Sequence, residues 1–156
     1  MFREMRRKDK AKTRSETIRI MEEGTNGVLS VIGDEGYPYG VPVSYVYKNG
    51  KIYFHSAMEG HKLDAIKKEP KVSFCVVGAD NIDAGKFTTN YKSVICFGKA
   101  HIAESDEEKQ KILEEIVSKY SKDFWDGGMK YIKAEWDNCY AVEIEVEHMT
   151  GKGLAD

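Results

Sequence analysis

The chain has 156 residues, of which 41% are hydrophobic and 32% charged, with a formal net charge of -2. This size and composition predict one globular domain over residues 1–156 that buries a core without disulfides or structural metals. The low net charge argues against electrostatic binding of nucleic acid. No apolar run approaches the roughly 20 residues of a membrane-spanning helix.

The cysteines and the N-terminus bear on the cellular compartment. Cys75, Cys96 and Cys139 all lie in apolar, strand-like runs. An odd number without paired spacing predicts neither a disulfide framework nor a zinc motif, and buried free thiols suit a reducing cytoplasm. The first residues are basic and polar, so a secretory signal is not expected and a cytoplasmic location is.

Hydrophobic periodicity predicts six strands and four helices. Asn49-Gly50 is the strongest local signal, because a type I′ hairpin turn needs positive φ at both central residues. Ser105 and Glu108 have the spacing of a capping box at a helix start, whereas residues 81–89 show no period and are expected to form a loop. Helices are expected at residues 15–23 (followed by the helix stop Gly24), 60–68, 105–120 and 130–135, and strands at 28–32, 39–48, 51–56, 71–78, 91–103 and 139–149.

The order of these elements indicates the fold class. The strands mostly follow one another, and the Asn-Gly turn joins residues 39–48 and 51–56 into an antiparallel hairpin. This order predicts a mainly β fold with helices (α+β), in which helices pack outside an antiparallel sheet or barrel. In the last strand, the glutamates of residues 143–147 alternate with apolar residues and are expected to face solvent.

The familiar catalytic motifs are missing from the sequence. It has no GxSxG elbow, no GxxxxGK[ST] phosphate loop, no HExxH and no GxGxxG. The four histidines are His55, His61, His101 and His148. None has a second metal ligand at a recognised spacing, so no metal site is predicted.

The segment from His55 to Lys62 joins a predicted strand end to a predicted helix start. A helix N-terminus presents free N–H groups and the positive end of the helix dipole, and both attract anions. Ser56 adds a hydroxyl group and Lys62 adds a positive charge. The segment is therefore a candidate phosphate cradle, and a plain solvated helix cap is the alternative.

Five segments together resemble a known family. Tyr-Pro-Tyr-Gly-Val-Pro-Val-Ser-Tyr-Val-Tyr at 37–47 and Ile-Tyr-Phe-His-Ser-Ala-x-x-Gly-His-Lys at 52–62 are similar to the flavin-binding core of the pyridoxamine 5′-phosphate oxidase-like split-barrel proteins. Within that superfamily the chain most resembles the nitroimidazole-resistance branch. Met-Arg-Arg-Lys-Asp at 5–9, Tyr-Lys-Ser-Val-Ile-Cys-Phe-Gly-Lys-Ala at 91–100 and Met-Thr-Gly-Lys at 149–152 also match it.

The resemblance implies a six-stranded antiparallel split β-barrel with peripheral helices. It also implies a homodimer with FMN (flavin mononucleotide) bound where the two subunits meet. The residues that it assigns to FMN are Pro42, Val43, Ser44 and Tyr45 along the isoalloxazine ring, largely through backbone groups; His55, Ser56 and Ala57 near the ribityl chain and phosphate; His61 and Lys62 at the phosphate; and Tyr91, Ser93 and Val94 approaching the flavin from this subunit or the other.

The function that the resemblance implies is an FMN-dependent oxidoreductase. Its substrate would be a small electron-poor molecule such as a nitroaromatic, with hydride passing through flavin N5 and NAD(P)H as a candidate donor. One alternative is a pyridoxamine phosphate oxidase, which needs a second phosphate pocket, but the sequence has no second arginine-rich cluster. The other is a non-catalytic module that binds flavin or heme.

Overall fold

The computed structural model describes residues 1–154; Ala155 and Asp156, the end of the expected domain, lie outside the described residues. The strands are β1 (Asn26–Ile32), β2 (Pro38–Ser44), β3 (Val46–Lys48), β4 (Lys51–Ala57), β5 (Lys71–Asp83), β6 (Thr88–Ile102) and β7 (Cys139–Gly153). The helices are α1 (Arg14–Glu23), α2 (His61–Lys68), α3 (Asp106–Tyr120) and α4 (Trp125–Ala134).

The seven strands form one antiparallel sheet with the order β2-β1-β5-β6-β7-β4-β3. β2 and β3 are its two edges, yet only Tyr45 separates them along the chain. Because the two Cα–Cα steps from Ser44 to Val46 span at most about 7 Å, the end of β2 and the start of β3 must lie next to each other. The sheet is therefore rolled but, within residues 1–154, not closed by pairing of β2 with β3. The mainly β, antiparallel, split-barrel-like fold is confirmed, with seven strands instead of the expected six.

The extra strand arises because the expected strand 39–48 breaks at Tyr45. The Tyr45 side chain is completely buried, and its hydroxyl donates to the Met21 carbonyl oxygen at 2.7 Å. There the chain crosses from one edge of the sheet to the other. The Asn49-Gly50 turn is confirmed with φ of 50° and 80°, but its hairpin pairs only β3 with the start of β4.

The expected loop at 81–89 is wrong. β5 and β6 continue through it as a long ribbon, which turns where Asp83 Oδ1 accepts from the Lys86 N–H and Phe87 adopts a φ of 52°. Val77, Ile82 and Phe87 on this ribbon are 63%, 78% and 97% exposed. Because the ribbon is exposed, no alternation of apolar and polar residues marks its strands in the sequence.

The helices begin and end largely where the sequence predicts. Thr13 and Glu16 form a reciprocal capping box at α1, which ends at Gly24. At α3, Ser105 accepts from the Glu108 N–H, but the Glu108 carboxylate contacts His101 and does not close the expected box. α4 begins five residues before the expected 130–135 helix. Gly127 and Gly128 lie in its first turn, and because glycine disfavours helix, the sequence there does not predict one.

The core fills the rolled sheet, with Tyr45, Phe54 and Phe74 among its largest fully buried side chains. The three cysteines are free; Cys96 is buried, which raises its pKa to about 12, and the other two are half-buried. The expectation that Glu143 faces solvent is wrong, since it is buried next to Lys51. No helix within residues 1–154 is long and apolar enough to cross a membrane.

Candidate functional site

A cleft of about 650 Å³ opens between the end of β4 and the helices α3 and α4. Three of the predicted site residues, His55, Ser56 and Ala57, form its sheet side. The opposite wall is mainly apolar and aromatic, a lining that suits a flat, largely apolar molecule with a few polar atoms. Its apolar residues are Leu113, Ile116, Val117, Phe124, Tyr131 and Ile132.

The strand geometry of β4 decides how these three residues face the cleft. His55 and Ala57 are exposed on one face, and Ser56 between them is buried, with its hydroxyl donating to the Ala57 carbonyl oxygen at 2.9 Å. Partial desolvation lowers the pKa of His55. The ring is therefore neutral at neutral pH and offers the cleft a donor and an acceptor without charge.

Three residues separate the end of β4 from the start of α2, which is uncapped. Gly60 occupies the N-cap position with a φ of 153°, which favours glycine, and no side chain caps the helix there. The Gly60 carbonyl accepts from the Leu63 and Asp64 N–H groups at 3.1 and 3.2 Å. Lys62 is half-buried, and its ammonium has no ion pair or hydrogen bond within the described residues. An uncapped helix start with an unpaired ammonium favours an anion.

His61 is anchored by contacts within the chain. Its Nε2 accepts from the Asp34 N–H at 3.1 Å, and its ring lies against Tyr39 with centroids 4.2 Å apart. The Asp34 carboxylate lies 3.8 Å from the same nitrogen. His61 thus fastens the 34–36 turn to the start of α2, and its expected role at a phosphate stays a prediction.

The strand predicted to follow a flavin ring is the edge strand β2. Within the described residues its one neighbour in the sheet is β1, so the backbone groups along its outer side are available to another molecule. Pro42 and Ser44 are exposed and Val43 is half-buried. Tyr45 is buried and its backbone N–H donates to the Tyr120 hydroxyl at 3.1 Å, so it is not open to a ligand.

The three predicted residues on β6 do not line the cleft. In the sheet, β7 separates β6 from β4, and two strands separate it from β2. Tyr91 and Ser93 are half-buried, whereas Val94 is fully buried and pairs with both neighbouring strands. Within one chain, Tyr91, Ser93 and Val94 therefore do not form a common site with residues 55–62.

The sequence analysis missed the helical wall of the cleft and an apolar outer face of the sheet. A cross-strand row on that face runs from Pro42 through Val28 and Cys75 to Ile95. Val28, Ile95 and the nearby Phe97 are 39%, 44% and 40% exposed. For the cleft wall the sequence offers no comparable signal: Phe124 and Tyr131 stand out only in the structure, where they are 75% and 70% exposed.

The rolled antiparallel sheet with its uncapped strand-to-helix turn defines a split-barrel protein with a candidate anion site. A family model described as pyridoxamine 5′-phosphate oxidase matches residues 13–153. The chain belongs to that family, and the family resemblance seen in the sequence is confirmed. No curated protein sequence matches the chain.

Solved structures share the fold over most of the chain. A candidate 5-nitroimidazole antibiotic resistance protein from Bacteroides thetaiotaomicron is 25% identical, with 90% of this chain and 84% of that one covered and a TM-score of 0.76. A flavocytochrome from Azotobacter vinelandii is 16% identical, with 96% and 72% covered and a TM-score of 0.78. An FAD-binding protein from Mesorhizobium loti is 20% identical, with 90% and 94% covered and a TM-score of 0.62.

Proposed function

We propose that this protein binds FMN between two copies of the chain and reduces small electron-poor molecules, nitroaromatics among them. The observation that carries the proposal is the uncapped start of α2. There, the Lys62 ammonium has no ion pair among residues 1–154, and Ser56, six residues earlier in the chain, lines the apolar cleft, although no residue of α2 does. A flavin mononucleotide combines the matching parts, a phosphate at one end and a broad, mostly apolar ring at the other.

The residues present fit the phosphate of this cofactor. The Lys62 ammonium would supply a charge-assisted contact, and the His61 and Lys62 N–H groups, which precede those bonded to the Gly60 carbonyl, would serve as donors at the helix start. Gly60 lacks a Cβ, and nothing lies within 4 Å of the position that one would occupy, so the backbone there is open to a ligand. No arginine follows Arg19 in the sequence, so Lys62 and the helix N–H groups would carry more of the phosphate contact.

The ring would follow the open edge of β2, where Pro42 and Ser44 are exposed; no residue of β2 lines the cleft, which would then take the substrate. When bound, a flavin supplies hydride transfer between a donor such as NAD(P)H and a substrate. The chain's own contribution is to hold the ring against backbone donors and acceptors, and to limit its contact with water. His55 would offer a neutral imidazole next to the substrate or the ribityl chain.

A homodimer would complete the pocket. The apolar outer face around Val28, Ile95 and Phe97 adjoins β2 and is exposed in the single chain. Burial of this face against a second copy would remove apolar surface from water. Tyr91 and Ser93 lie on the strand that carries Ile95, so the dimer could bring them to the partner's flavin.

The substrate class rests on the similarity to the candidate nitroimidazole resistance protein. Pyridoxamine phosphate oxidation has less support, because a phosphorylated substrate needs a second cationic pocket and the sequence offers no second arginine cluster. Heme binding is the other candidate, because His55 offers the cleft a neutral imidazole, a side chain that could hold a heme iron.

An anaerobic spectroscopic titration tests the proposed activity. FMN-loaded protein is mixed with NADPH or NADH, and the flavin absorbance should bleach and then recover when a 5-nitroimidazole is added. The matched control is buffer without the nitro compound. Bleaching that a nitro compound does not reverse would contradict the substrate class, and a Soret band in the purified protein would favour heme.

A further inference from the structure

Three side chains capable of binding metal meet on the outer surface of the sheet. His101 on β6 and Glu143 on β7 are direct cross-strand partners. Glu108 approaches them from the first turn of α3. The ligand atoms of the three all lie within 4.8 Å of one another, and none of the three residues lines the cleft.

One of the distances is close to that which a bound metal ion requires, and another is too short until a side chain turns. His101 Nε2 lies 2.5 Å from Glu108 Oε1 and 3.7 Å from Glu143 Oε2. Ligand atoms around a tetrahedral zinc ion are about 3.4 Å apart, given bond lengths near 2.0–2.1 Å. A small rotation of the Glu108 carboxylate away from the imidazole would therefore admit the ion, while Glu143 is already close to its position.

Glu143 is a buried carboxylate aimed at this site. Its side chain is only 9% exposed, and its Oε1 lies 3.2 Å from the Lys51 ammonium. Its Oε2 faces His101 at a distance too long for a hydrogen bond. Two carboxylates and one ammonium leave a net negative charge next to a ring nitrogen, which is the electrostatic setting of a cation site.

The Glu108 carboxylate contacts this site although it could instead complete a capping box at the start of α3. The Ser105 hydroxyl accepts from the Glu108 N–H at 3.1 Å, which is half of a capping box. The second half would be a bond from the Ser105 N–H to the Glu108 carboxylate, as Glu16 makes with Thr13 at α1. Here the Glu108 carboxylate turns to His101 instead.

We propose that His101, Glu108 and Glu143 bind one first-row divalent metal ion that fastens the start of α3 to β6 and β7. A ligand set of one imidazole and two carboxylates suits Zn²⁺, Mn²⁺, Fe²⁺ or Co²⁺, whereas Mg²⁺ and Ca²⁺ prefer oxygen ligands alone. Around a tetrahedral Zn²⁺, three protein ligands leave one position for water.

Isothermal titration of the tag-free protein with Zn²⁺ tests the proposal. We expect one saturable site per chain. Both His101→Gln and Glu108→Gln should weaken Zn²⁺ binding, raising the dissociation constant about tenfold or more. Glu107→Gln is the matched control, because it removes the same charge from the neighbouring exposed position of α3 and should leave binding unchanged. Lys51→Met should tighten binding, since it removes a competing positive charge next to Glu143.

Either of two outcomes would overturn the site, and a third would relocate the metal. One is the absence of saturable Zn²⁺ binding by the wild-type protein. The other is equal weakening by Glu107→Gln and Glu108→Gln, which would indicate attraction by α3 as a whole. Retention of full affinity in His101→Gln would likewise place the metal elsewhere, for example at a free cysteine. Circular dichroism of each variant establishes that it is folded.

Discussion

The ammonium of Lys119 donates to the Tyr45 carbonyl oxygen at 3.1 Å and lies 4.6 Å from the centre of the Tyr45 ring. The same ammonium donates to the Gly24 carbonyl oxygen. Tyr120 adds a hydroxyl that accepts from the Tyr45 N–H and donates to the Thr25 carbonyl oxygen at 3.0 Å. The last turn of α3 therefore holds the single residue that joins the two edges of the sheet.

Lys119→Met should lower the free energy of unfolding by about 1–3 kcal/mol, because two backbone carbonyls lose a charged donor. Methionine keeps the apolar stem over Tyr45, so the loss reports mainly on the ammonium. Burial lowers the pKa of Lys119, which indicates a desolvation cost that its contacts must offset. Urea denaturation measures the change.

Lys111→Met is the matched control for that variant, since Lys111 is exposed on the same helix. Its unfolding midpoint should stay close to that of the wild type. If both variants change the midpoint equally, the contacts at Tyr45 do not stabilise the fold.

Lys62→Ala should weaken FMN binding by roughly 10- to 100-fold, since a charged hydrogen bond contributes about 1.5–3 kcal/mol. Fluorescence quenching during titration with FMN gives the dissociation constant. Lys68→Ala, at the exposed last turn of the same helix, should bind FMN as the wild type does. An unchanged constant in Lys62→Ala would place the phosphate elsewhere.

Ile95→Glu should convert the proposed dimer into a folded monomer, because it places a charge in the centre of the apolar outer face. Light scattering measures the mass, and FMN affinity should fall together with dimerisation. Tyr37→Glu changes a residue that is 74% exposed outside that face and should leave the mass unchanged. A dimeric mass for Ile95→Glu would show that the subunits meet at another surface.

Stability should depend on pH through His55. Because desolvation lowers its pKa below the ordinary value of 6.5, the folded state resists protonation more than the unfolded chain does. Neutral His55 makes its full contribution to the free energy of unfolding above pH 6.5. That contribution is lost as the pH falls, first through the pKa of His55 in the unfolded chain and then through its lower pKa in the folded protein. The advantage of the wild type over His55→Gln should therefore shrink between pH about 7.5 and about 5.

Denaturation midpoints of the two proteins across this range measure the effect. Parallel pH profiles would indicate that His55 is as solvated in the folded chain as in the unfolded one. If the wild type instead becomes more stable relative to His55→Gln as the pH falls, then a nearby carboxylate, and not desolvation, determines the pKa of the imidazole.

The parts of the fold that the sequence predicts are those that local chemistry determines. The Asn49-Gly50 turn follows from the φ values that such a turn needs, and Gly24 ends α1 as expected. The break at Tyr45 was not predictable, because residues far along the chain, such as Tyr120, hold it. Likewise, Glu143 looks solvent-facing in a strand pattern, and only the folded chain brings Lys51 next to it.

The same distinction holds for the candidate site. The strand-to-helix segment from Ser56 to Lys62 is contiguous, so its motif is visible in the sequence. The opposite wall of the cleft comes from α3 and α4, and it depends on how these helices pack against β4. Phe124 and Tyr131 cannot be distinguished by spacing alone from ordinary surface aromatics.

The most direct test of flavin binding is an absorbance spectrum of the purified protein, with mass spectrometry of any small molecule released on denaturation. FMN at about one per subunit, or its saturable uptake by protein purified without it, is the expected result. Protein that neither carries nor takes up FMN would contradict the proposed cofactor and leave a split-barrel fold with a different ligand.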